Sequence, residues 1–250
     1  KNFLGTTGSI ELGKQWAFPG KGTFFGVLGD LDGAFYTYKD DKFKLKFGTG
    51  KSDSPLNGVG GSTDLTFAEF SVKPSPKFDF GGFVLTHSNT ANVKDIKMLS
   101  LNAAVGFDNG HALSFEWAKN SANGSAYHNK SGWIIAYNSH YRNTWRTPPV
   151  YDAAINPFKK GDWAWAISYR HMPAGVAGLM NRGAACMVPF STDVNGSYIN
   201  NINDVNVWRV DFYTVPWKNV VWAIIFESAK DIKGRWTNNN IQTALLFYFK

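Results

Sequence analysis

The strongest constraint on the fold of this chain is an alternation of side chains with a period of two. Across residues 163–170, bulky apolar residues alternate with small or polar ones. Successive side chains of a β-strand point to opposite faces, so the pattern predicts a strand with one wholly apolar face. Apolar residues at helical spacing do not persist through any long window. We therefore expect an all-β protein. The alternation returns at 42–47, 99–107, 113–117, 208–213, 220–226 and 241–249.

Turn residues divide the chain into about 13 expected strands. Short polar or proline-containing turns lie at 39–41, 74–77, 108–110 and 215–218, and longer stretches rich in Asn, Gly and Ser lie between the other strands. If all the short turns lie at one end of the strands, one more strand is needed between 141 and 204. Bacterial barrels also favour an even number of strands. We expect about 14 strands, the missing one near Val150–Phe158 or Val176–Met180, with 12 as the alternative. The 13 recognised strands are 9–17, 23–38, 42–49, 63–73, 78–87, 96–107, 111–119, 132–141, 161–171, 183–190, 205–214, 219–228 and 237–249.

Length and composition restrict the class of protein further. The 250 residues are a normal length for one all-β barrel or sandwich, and no linker or repeat divides them, so we expect a single domain over 1–250. No apolar run approaches 18 residues, which excludes a helical membrane protein. The single cysteine, Cys186, excludes a disulfide framework. The first residues contain no signal peptide. The net charge of +7 is scattered along the chain, so we expect no nucleic-acid partner.

Two architectures accommodate many antiparallel strands. A soluble β-sandwich or lectin packs its apolar faces inward, whereas a membrane barrel turns them to lipid and encloses a wet lumen. Aromatic residues near strand ends, polar faces with small residues and isolated charges, and alternation of short turns with long loops favour the barrel. We expect a closed antiparallel transmembrane β-barrel, with the soluble sandwich as the alternative. The aromatic residues near strand ends are Trp117, Trp133, Trp163, Tyr169 and Phe249.

The chain resembles bacterial outer-membrane porins. The resemblance rests on the C-terminal run Leu245-Leu246-Phe247-Tyr248-Phe249, on the aromatic alternation and on the turn-and-loop pattern across nearly the whole chain. Lys250 after the aromatic residue departs from the usual end of such barrels. The chain also resembles, more weakly, the barrel part of porins that carry an S-layer-homology domain upstream, which implies that residue 1 is not the native start. The resemblance implies a bacterial outer-membrane location and outer-membrane lipid as a partner.

If the apolar rows face lipid, their neighbours in sequence line the lumen. Lysine or arginine on the lipid face at mid-depth costs about 2–4 kcal/mol, so the alternating lysines at 42–46 are more tolerable inside. With the net charge of +7, these lysines predict a lumen with a bias toward anions. The alternative is that these lysines lie at the rim of the barrel near the lipid headgroups, where a charged lysine side chain costs little free energy. The expected pore-lining residues are Lys42, Lys44, Lys46, Glu116, Asn138, His140, Arg170, Arg209, Asp211 and Glu227.

Long irregular stretches are candidates for a constriction inside the pore. The segment 142–160 carries Arg142, Arg146, Tyr151 and Asp152, and Arg182 lies in a later stretch. The alternative is a surface loop without a role in conduction.

These patterns predict a channel for passive diffusion of small hydrophilic solutes, because a polar lumen needs no catalytic motif. We expect no enzyme activity, catalytic residue, cofactor or metal: the histidines lack metal-ligand spacing, and residues 48–52 lack the first glycine and the helix of a phosphate-binding loop. A trimer is compatible with the pattern. Two alternatives are an outer-membrane lipase or deacylase, for which His87-Ser88-Asn89 is the only suggestive cluster, and an adhesin or envelope tether.

Overall fold

The computed structural model describes residues 8–17, 20, 27–52, 63–89, 96–121, 130–140, 155–173, 191–192, 198–199, 205–235 and 237–248. Every regular element in these ranges is a β-strand. The strands are β1 (Gly8–Ala17), β2 (Val27–Lys39), β3 (Phe43–Ser52), β4 (Thr63–Ser75), β5 (Phe78–Asn89), β6 (Ile96–Gly106), β7 (Ala112–Asn120), β8 (Lys130–Asn138), β9 (Trp163–Met172), β10 (Ser191–Thr192), β11 (Tyr198–Ile199), β12 (Val205–Trp217), β13 (Val220–Asp231) and β14 (Thr237–Phe247).

Twelve of these strands form one antiparallel sheet in which each strand pairs with its neighbour in sequence, except that β9 pairs directly with β12. The short strands β10 and β11 pair only with each other in the part of the chain that the structure describes. The expectation of about 14 strands in the sheet was therefore wrong, and the alternative of 12 agrees with the structure.

The error in the strand count came from the long segment between β8 and β12. The expected strand at 183–190 lies outside the described residues, as do 150–154 and 176–180, and residues 155–158 are not in a strand. Because β9 alone connects β8 to β12 within the sheet, all the short turns lie at one end with two strands fewer than the 14 expected from the sequence. We call this end of the strands the turn end and the opposite end the loop end.

The two edges of the sheet are β1 and β14, and no pairing joins them among the described residues. The closed barrel expected from the sequence is therefore not what the sheet displays. The sheet is strongly staggered, however. A row of paired residues that begins at Gly8, at the turn end of β1, crosses all twelve strands and arrives at Thr237, at the loop end of β14.

Candidate functional site

The two faces of the sheet have the opposite polarity to that of a water-soluble protein. On β12, Trp208, Val210 and Phe212 are 56%, 41% and 41% exposed, whereas the intervening Arg209 and Asp211 are completely buried. We call these the exposed face and the buried face. Soluble sheets bury the apolar row and solvate the charged one, because burial of an ionised group costs several kcal/mol unless it is paired. The alternation detected in the sequence therefore divides apolar and charged side chains as the barrel interpretation requires.

A cluster of charged side chains lies at the centre of the buried face on β12 and β13. The guanidinium of Arg209 donates from Nε to Asp211 Oδ1 at 2.8 Å and from Nη1 to Glu227 Oε1 at 3.0 Å. The hydroxyl of Tyr213 donates to the same Asp211 oxygen at 2.9 Å. The antiparallel register positions this cluster, because Arg209 and Glu227 are directly opposite each other and Asp211 is the next residue of β12 on the same face. Two carboxylates thus neutralise the charge of Arg209.

A second polar group follows on β6, β7 and β9. Ser100 donates from Oγ to Glu116 Oε1 at 2.9 Å, and Arg170 donates from Nε to Ser168 Oγ at 3.4 Å. All four side chains are buried. In the register, Ile134 of β8 lies between Glu116 and Arg170, so their backbones are two strand spacings, or about 10 Å, apart. The structure brings the expected residues on β7, β9, β12 and β13 to one face.

The lysines of β3 only partly follow the expected ladder. Lys44 and Lys46 lie on the buried face, where Lys44 Nζ is 3.3 Å from Glu69 Oε1 and Lys46 Nζ is 5.0 Å from the ring centroid of Phe35. Asn138, opposite Ala112 and Ala166, lies on the same face in register and is half-buried.

Lys42 does not belong to this ladder. It is exposed and precedes the first residue of β3. Asp40 Oδ1 accepts the backbone N–H groups of Lys42 and Phe43 at 2.8 and 2.6 Å, which holds this part of the chain in the turn. The same two N–H groups lower the pKa of Asp40 below 3.8, because they favour the ionised carboxylate. Lys42 therefore lies at the turn end, just before β3, and its place in the pore lining stays a prediction.

His140 also lies outside the strand rows. It follows the last residue of β8, and its ring meets that of Trp163 edge-on at 5.7 Å, while its Nδ1 is 2.8 Å from Ser139 Oγ. Trp163 belongs to the exposed face and is 48% exposed. Ser139 Oγ also accepts the N–H of Trp165, at 2.9 Å, while the backbone N–H of Ser139 donates to the carbonyl oxygen of Trp165, at 2.9 Å. His140 is therefore beside an aromatic residue of the exposed face rather than on the inner row.

The constriction candidates Arg142, Arg146, Tyr151, Asp152 and Arg182 lie outside the described residues.

In the connection between β8 and β9, residues 155–160 pack against the buried face at the turn end. Ile155 is completely buried in a cluster with Tyr213 and Val221. Pro157 accepts the N–H of Asn219 at 2.8 Å through its carbonyl oxygen. Residues 155–160 therefore cover the inner wall at this end of β12 and β13.

Gly20, in the connection between β1 and β2, also contacts the buried face. Its φ is +70°, and a Cβ atom at this position would lie 2.5 Å from Glu116 Oε1 and 3.0 Å from the ring of Phe83. Only glycine fits this close approach without displacement of its neighbours. The sequence pattern contained no signal for this contact, because it joins segments almost one hundred positions apart.

The buried face contains more apolar surface than the sequence suggested. On β2, β4, β5 and β6 it includes seven large apolar residues, whereas the buried polar residues concentrate on β6–β13. The sequence pattern did not reveal these buried apolar residues, because β4 and β5 carry apolar residues on both faces and the alternation there does not separate the two faces. Sequence reasoning also missed the acidic Glu69, Asp79 and Asp231, although their alternation with exposed residues was a usable signal. The apolar residues are Leu31, Phe35, Leu65, Phe67, Phe83, Leu85 and Met98.

Aromatic side chains of the exposed face form two groups at different heights. Near the loop end, the ring centroids of Tyr169 and Trp208 are 4.8 Å apart and those of Trp133 and Tyr169 are 5.3 Å apart. Near the turn end, Tyr137 and Trp165 are 5.7 Å apart. Such groups at both heights are typical of the interfacial girdles of membrane barrels.

The strands are long enough to span a membrane between these heights. Trp208 and Trp217 are nine positions apart on β12, which is about 30 Å along a strand and about 23 Å along the membrane normal at a tilt of about 40°. The apolar band of an outer-membrane barrel is about 25 Å tall.

Within the described ranges, no group of three or more His, Cys, Asp or Glu residues is arranged to hold a metal ion. A helix long and apolar enough to cross a membrane is likewise absent from the part of the chain that the structure describes.

Solved structures provide the informative comparison with known proteins. OccK11 (OpdR) of Pseudomonas aeruginosa superposes with a TM-score of 0.53 at 11% identity over 96% of this chain and 66% of the OccK11 chain. This chain thus spans about two thirds of the length of OccK11. A structure from work on in-meso crystallization of membrane proteins matches 87% of this chain and 77% of its own length at 12% identity, with a TM-score of 0.41. No family model matches the chain, and no curated protein matches it either. The likeness to OccK11 shows that the two chains share a fold, which in this chain is an all-antiparallel β-sheet.

Proposed function

We propose that this protein is a channel of the bacterial outer membrane through which small hydrophilic solutes diffuse passively. The observation that carries the proposal is the inverted polarity of the sheet, with Trp208, Val210 and Phe212 outside and Arg209 and Asp211 inside. In a bilayer this arrangement turns the apolar rows to acyl chains and the charged rows to the lumen. The fold of OccK11 supports the same proposal.

Closure of the sheet into a barrel is part of this proposal. Every backbone donor and acceptor in a bilayer needs a partner, so the two edge strands, β1 and β14, favour pairing with each other. β1 runs from the turn end to the loop end and β14 runs in the reverse direction, so they pair in the antiparallel sense. The row of paired residues from Gly8 to Thr237 shifts from the turn end to the loop end across the sheet. A closed barrel requires such a shift, because its strands are tilted relative to the barrel axis.

We further propose that a bias toward anions originates from the β3 lysines rather than from the arginines. Asp211 and Glu227 neutralise Arg209, which leaves little positive field at that point of the wall. Lys44 has a single carboxylate, Glu69, beside it, and Lys46 is adjacent to aromatic rings. Both Glu69 and Glu11 act electrostatically on Lys46. Lys39 of β2 lies directly opposite Lys44 in the register. Three lysines near two carboxylates leave a net positive patch on β1–β4, which attracts anions at low ionic strength.

Planar-bilayer recording tests the proposal. The full chain is expected to give stepwise conductance, and the reversal potential in a salt gradient is expected to indicate anion preference. Replacement of Lys44 and Lys46 by glutamate is expected to move the reversal potential toward cation preference, because it reverses the charge of the patch. The matched control replaces Lys14 and Lys230, which lie on the exposed face, by glutamate. Absence of conductance would contradict the channel, and equal shifts in both variants would remove the β3 lysines from the mechanism.

A further inference from the structure

A shallow groove of about 660 Å³ crosses the exposed face of β1–β6. Its lining follows two adjoining rows of the strand register. One row contains bulky residues such as Phe47 and Leu99, and the other contains small or hydroxylated residues such as Ala34, Thr49 and Thr66. The groove lies where small side chains interrupt a surface that is otherwise covered by large apolar ones.

The row of small residues is a chemical boundary on this face. Toward the turn end the next exposed-face row is apolar, with Phe47, Ala68 and Val84 in register. Toward the loop end the next row is charged, and Lys51 Nζ is 4.0 Å from Asp64 Oδ1. At the boundary, the hydroxyl oxygens of Thr49 and Thr66 are 3.0 Å apart. The groove therefore passes from hydrocarbon-like surface to hydroxyl groups and then to charges over a few residues.

Two lysines on the exposed face at the loop end of β6 and β7 adjoin the groove. Lys97 lines it directly, and Lys119 pairs in register with Leu99, another lining residue. Such diagonal neighbours on adjacent strands are about 7–8 Å apart at Cα, so both ammonium groups reach one shared anion. Lys51 faces an aspartate, but the register partner of Lys97 on β5 is Thr86, and those of Lys119 are Leu99 and Ser131. Positive charge in this place is thus not balanced across the strands.

We propose that this groove binds one anionic, phosphate-bearing lipid of the surrounding bilayer, whose headgroup carries a net negative charge. An acyl chain lies along the small and apolar residues, and the phosphate contacts Lys97 and Lys119. The ordering of apolar, hydroxyl and cationic groups matches the ordering of acyl chain, ester region and phosphate in such a lipid. A second copy of this chain fits less well, because it would place another lysine pair or an apolar row opposite these cations. The inference rests on the proposed function, since it needs the exposed face to be in a membrane.

Native mass spectrometry of the detergent-extracted full chain tests the site. Dimyristoyl phosphatidic acid is expected to be retained as one molecule per chain, and dimyristoyl phosphatidylcholine to be retained far more weakly. Replacement of both Lys97 and Lys119 by glutamine is expected to weaken retention of phosphatidic acid about 30-fold, as the loss of two lysines near an anionic headgroup predicts. Arginine at both positions is expected to preserve retention. The matched control, Lys160→Gln with Lys218→Gln at the turn end, is expected to leave it unchanged.

A second variant separates the groove from the charges. Ala68→Phe fills the groove and leaves both lysines intact, so it is expected to reduce retention as well. The proposal is overturned if the Lys97 and Lys119 variant retains phosphatidic acid fully, if Ala68→Phe does so, or if phosphatidylcholine is retained equally. Conductance recorded from the same preparations keeps the two proposals apart. Retention without conductance contradicts the channel alone, and conductance without retention contradicts the lipid site alone.

Discussion

Arg209 of β12 and Glu227 of β13 lie directly opposite each other, with Nη1 and Oε1 3.0 Å apart and both side chains almost completely buried. In a low dielectric such a pair is costly to form and costly to break, because removal of one partner leaves the other charge buried. The pair connects two strands on the face that, under the proposed function, encloses the lumen.

Arg209→Met is expected to reduce the free energy of unfolding by about 3–5 kcal/mol, because Asp211 and Glu227 lose their cation. The triple variant Arg209→Met, Asp211→Asn, Glu227→Gln is expected to lose less, since it contains no buried carboxylate at either position. Urea titration of the chain folded into lipid vesicles measures both. Lys230→Met, at an exposed position on β13, is the control. A triple variant less stable than the single one would contradict the electrostatic account.

Closure of β1 on β14 predicts a cross-link on the exposed face. In the register, Leu12 of β1 and Thr243, Leu245 and Phe247 of β14 lie on this face. If the sheet closes with a stagger of about 10, 12 or 14 residues, the row from Gly8 to Thr237 places Leu12 opposite Thr243, Leu245 or Phe247 respectively. Odd values are excluded because a shift of one position would reverse the faces. Leu12→Cys combined with cysteine at each of the three positions, in a chain with Cys186→Ser, is expected to form a disulfide in one combination, detected by gel mobility. Leu12→Cys with Leu246→Cys is the opposite-face control, and no cross-link in any of the three pairs would contradict closure.

Gly20→Ala is expected to destabilise the chain by more than Gly110→Ala. Both glycines have positive φ, +70° and +86°, and a side chain there costs about 1–2 kcal/mol. At Gly110 nothing lies within 4 Å of the added Cβ, whereas at Gly20 the atom also collides with Glu116 Oε1. The difference between the two variants in urea titration isolates the collision. Equal losses of unfolding free energy in the two variants would show that the Glu116 side chain moves away from the added Cβ without a measurable loss of stability.

Ile155→Ala is expected to cost about 2–5 kcal/mol, because it leaves a cavity in the apolar cluster at the turn end. Ile232, exposed in the connection between β13 and β14, is the matched control, and Ile232→Ala is expected to cost much less. Thermal unfolding in detergent compares the two. If the losses are equal, the packing of residues 155–160 on the inner wall contributes nothing.

Val210→Arg tests whether the exposed face meets hydrocarbon. Val210 is 41% exposed near the middle of β12, where arginine is expected to cost about 2–4 kcal/mol in a bilayer. Ile232→Arg is the control outside the strands. The measurement is equilibrium folding into vesicles. A tolerated arginine at 210 would favour the soluble sandwich over the membrane barrel.

The sequence alone determined which residues share a face of the sheet. Period-two alternation is a local property, so Trp208, Val210 and Phe212 separate from Arg209 and Asp211 whatever the neighbouring strands are. For this reason most of the expected inner residues lie on one face in the structure. Lys42 and His140 each lie just beyond a strand end, where side-chain oxygens of Asp40 and Ser139 accept backbone N–H groups, so the alternation alone does not determine where their side chains lie.

Only the tertiary structure decided how strands pair and what fills the space between them. That β9 pairs with β12, that Glu227 faces Arg209, and that Gly20 and Ile155 contact the inner wall are relations between distant segments. Such contacts depend on the register and on the competition of whole strands for partners, and no short window of residues encodes them. Alternation assigns a side chain to a face, but the fold selects its neighbours.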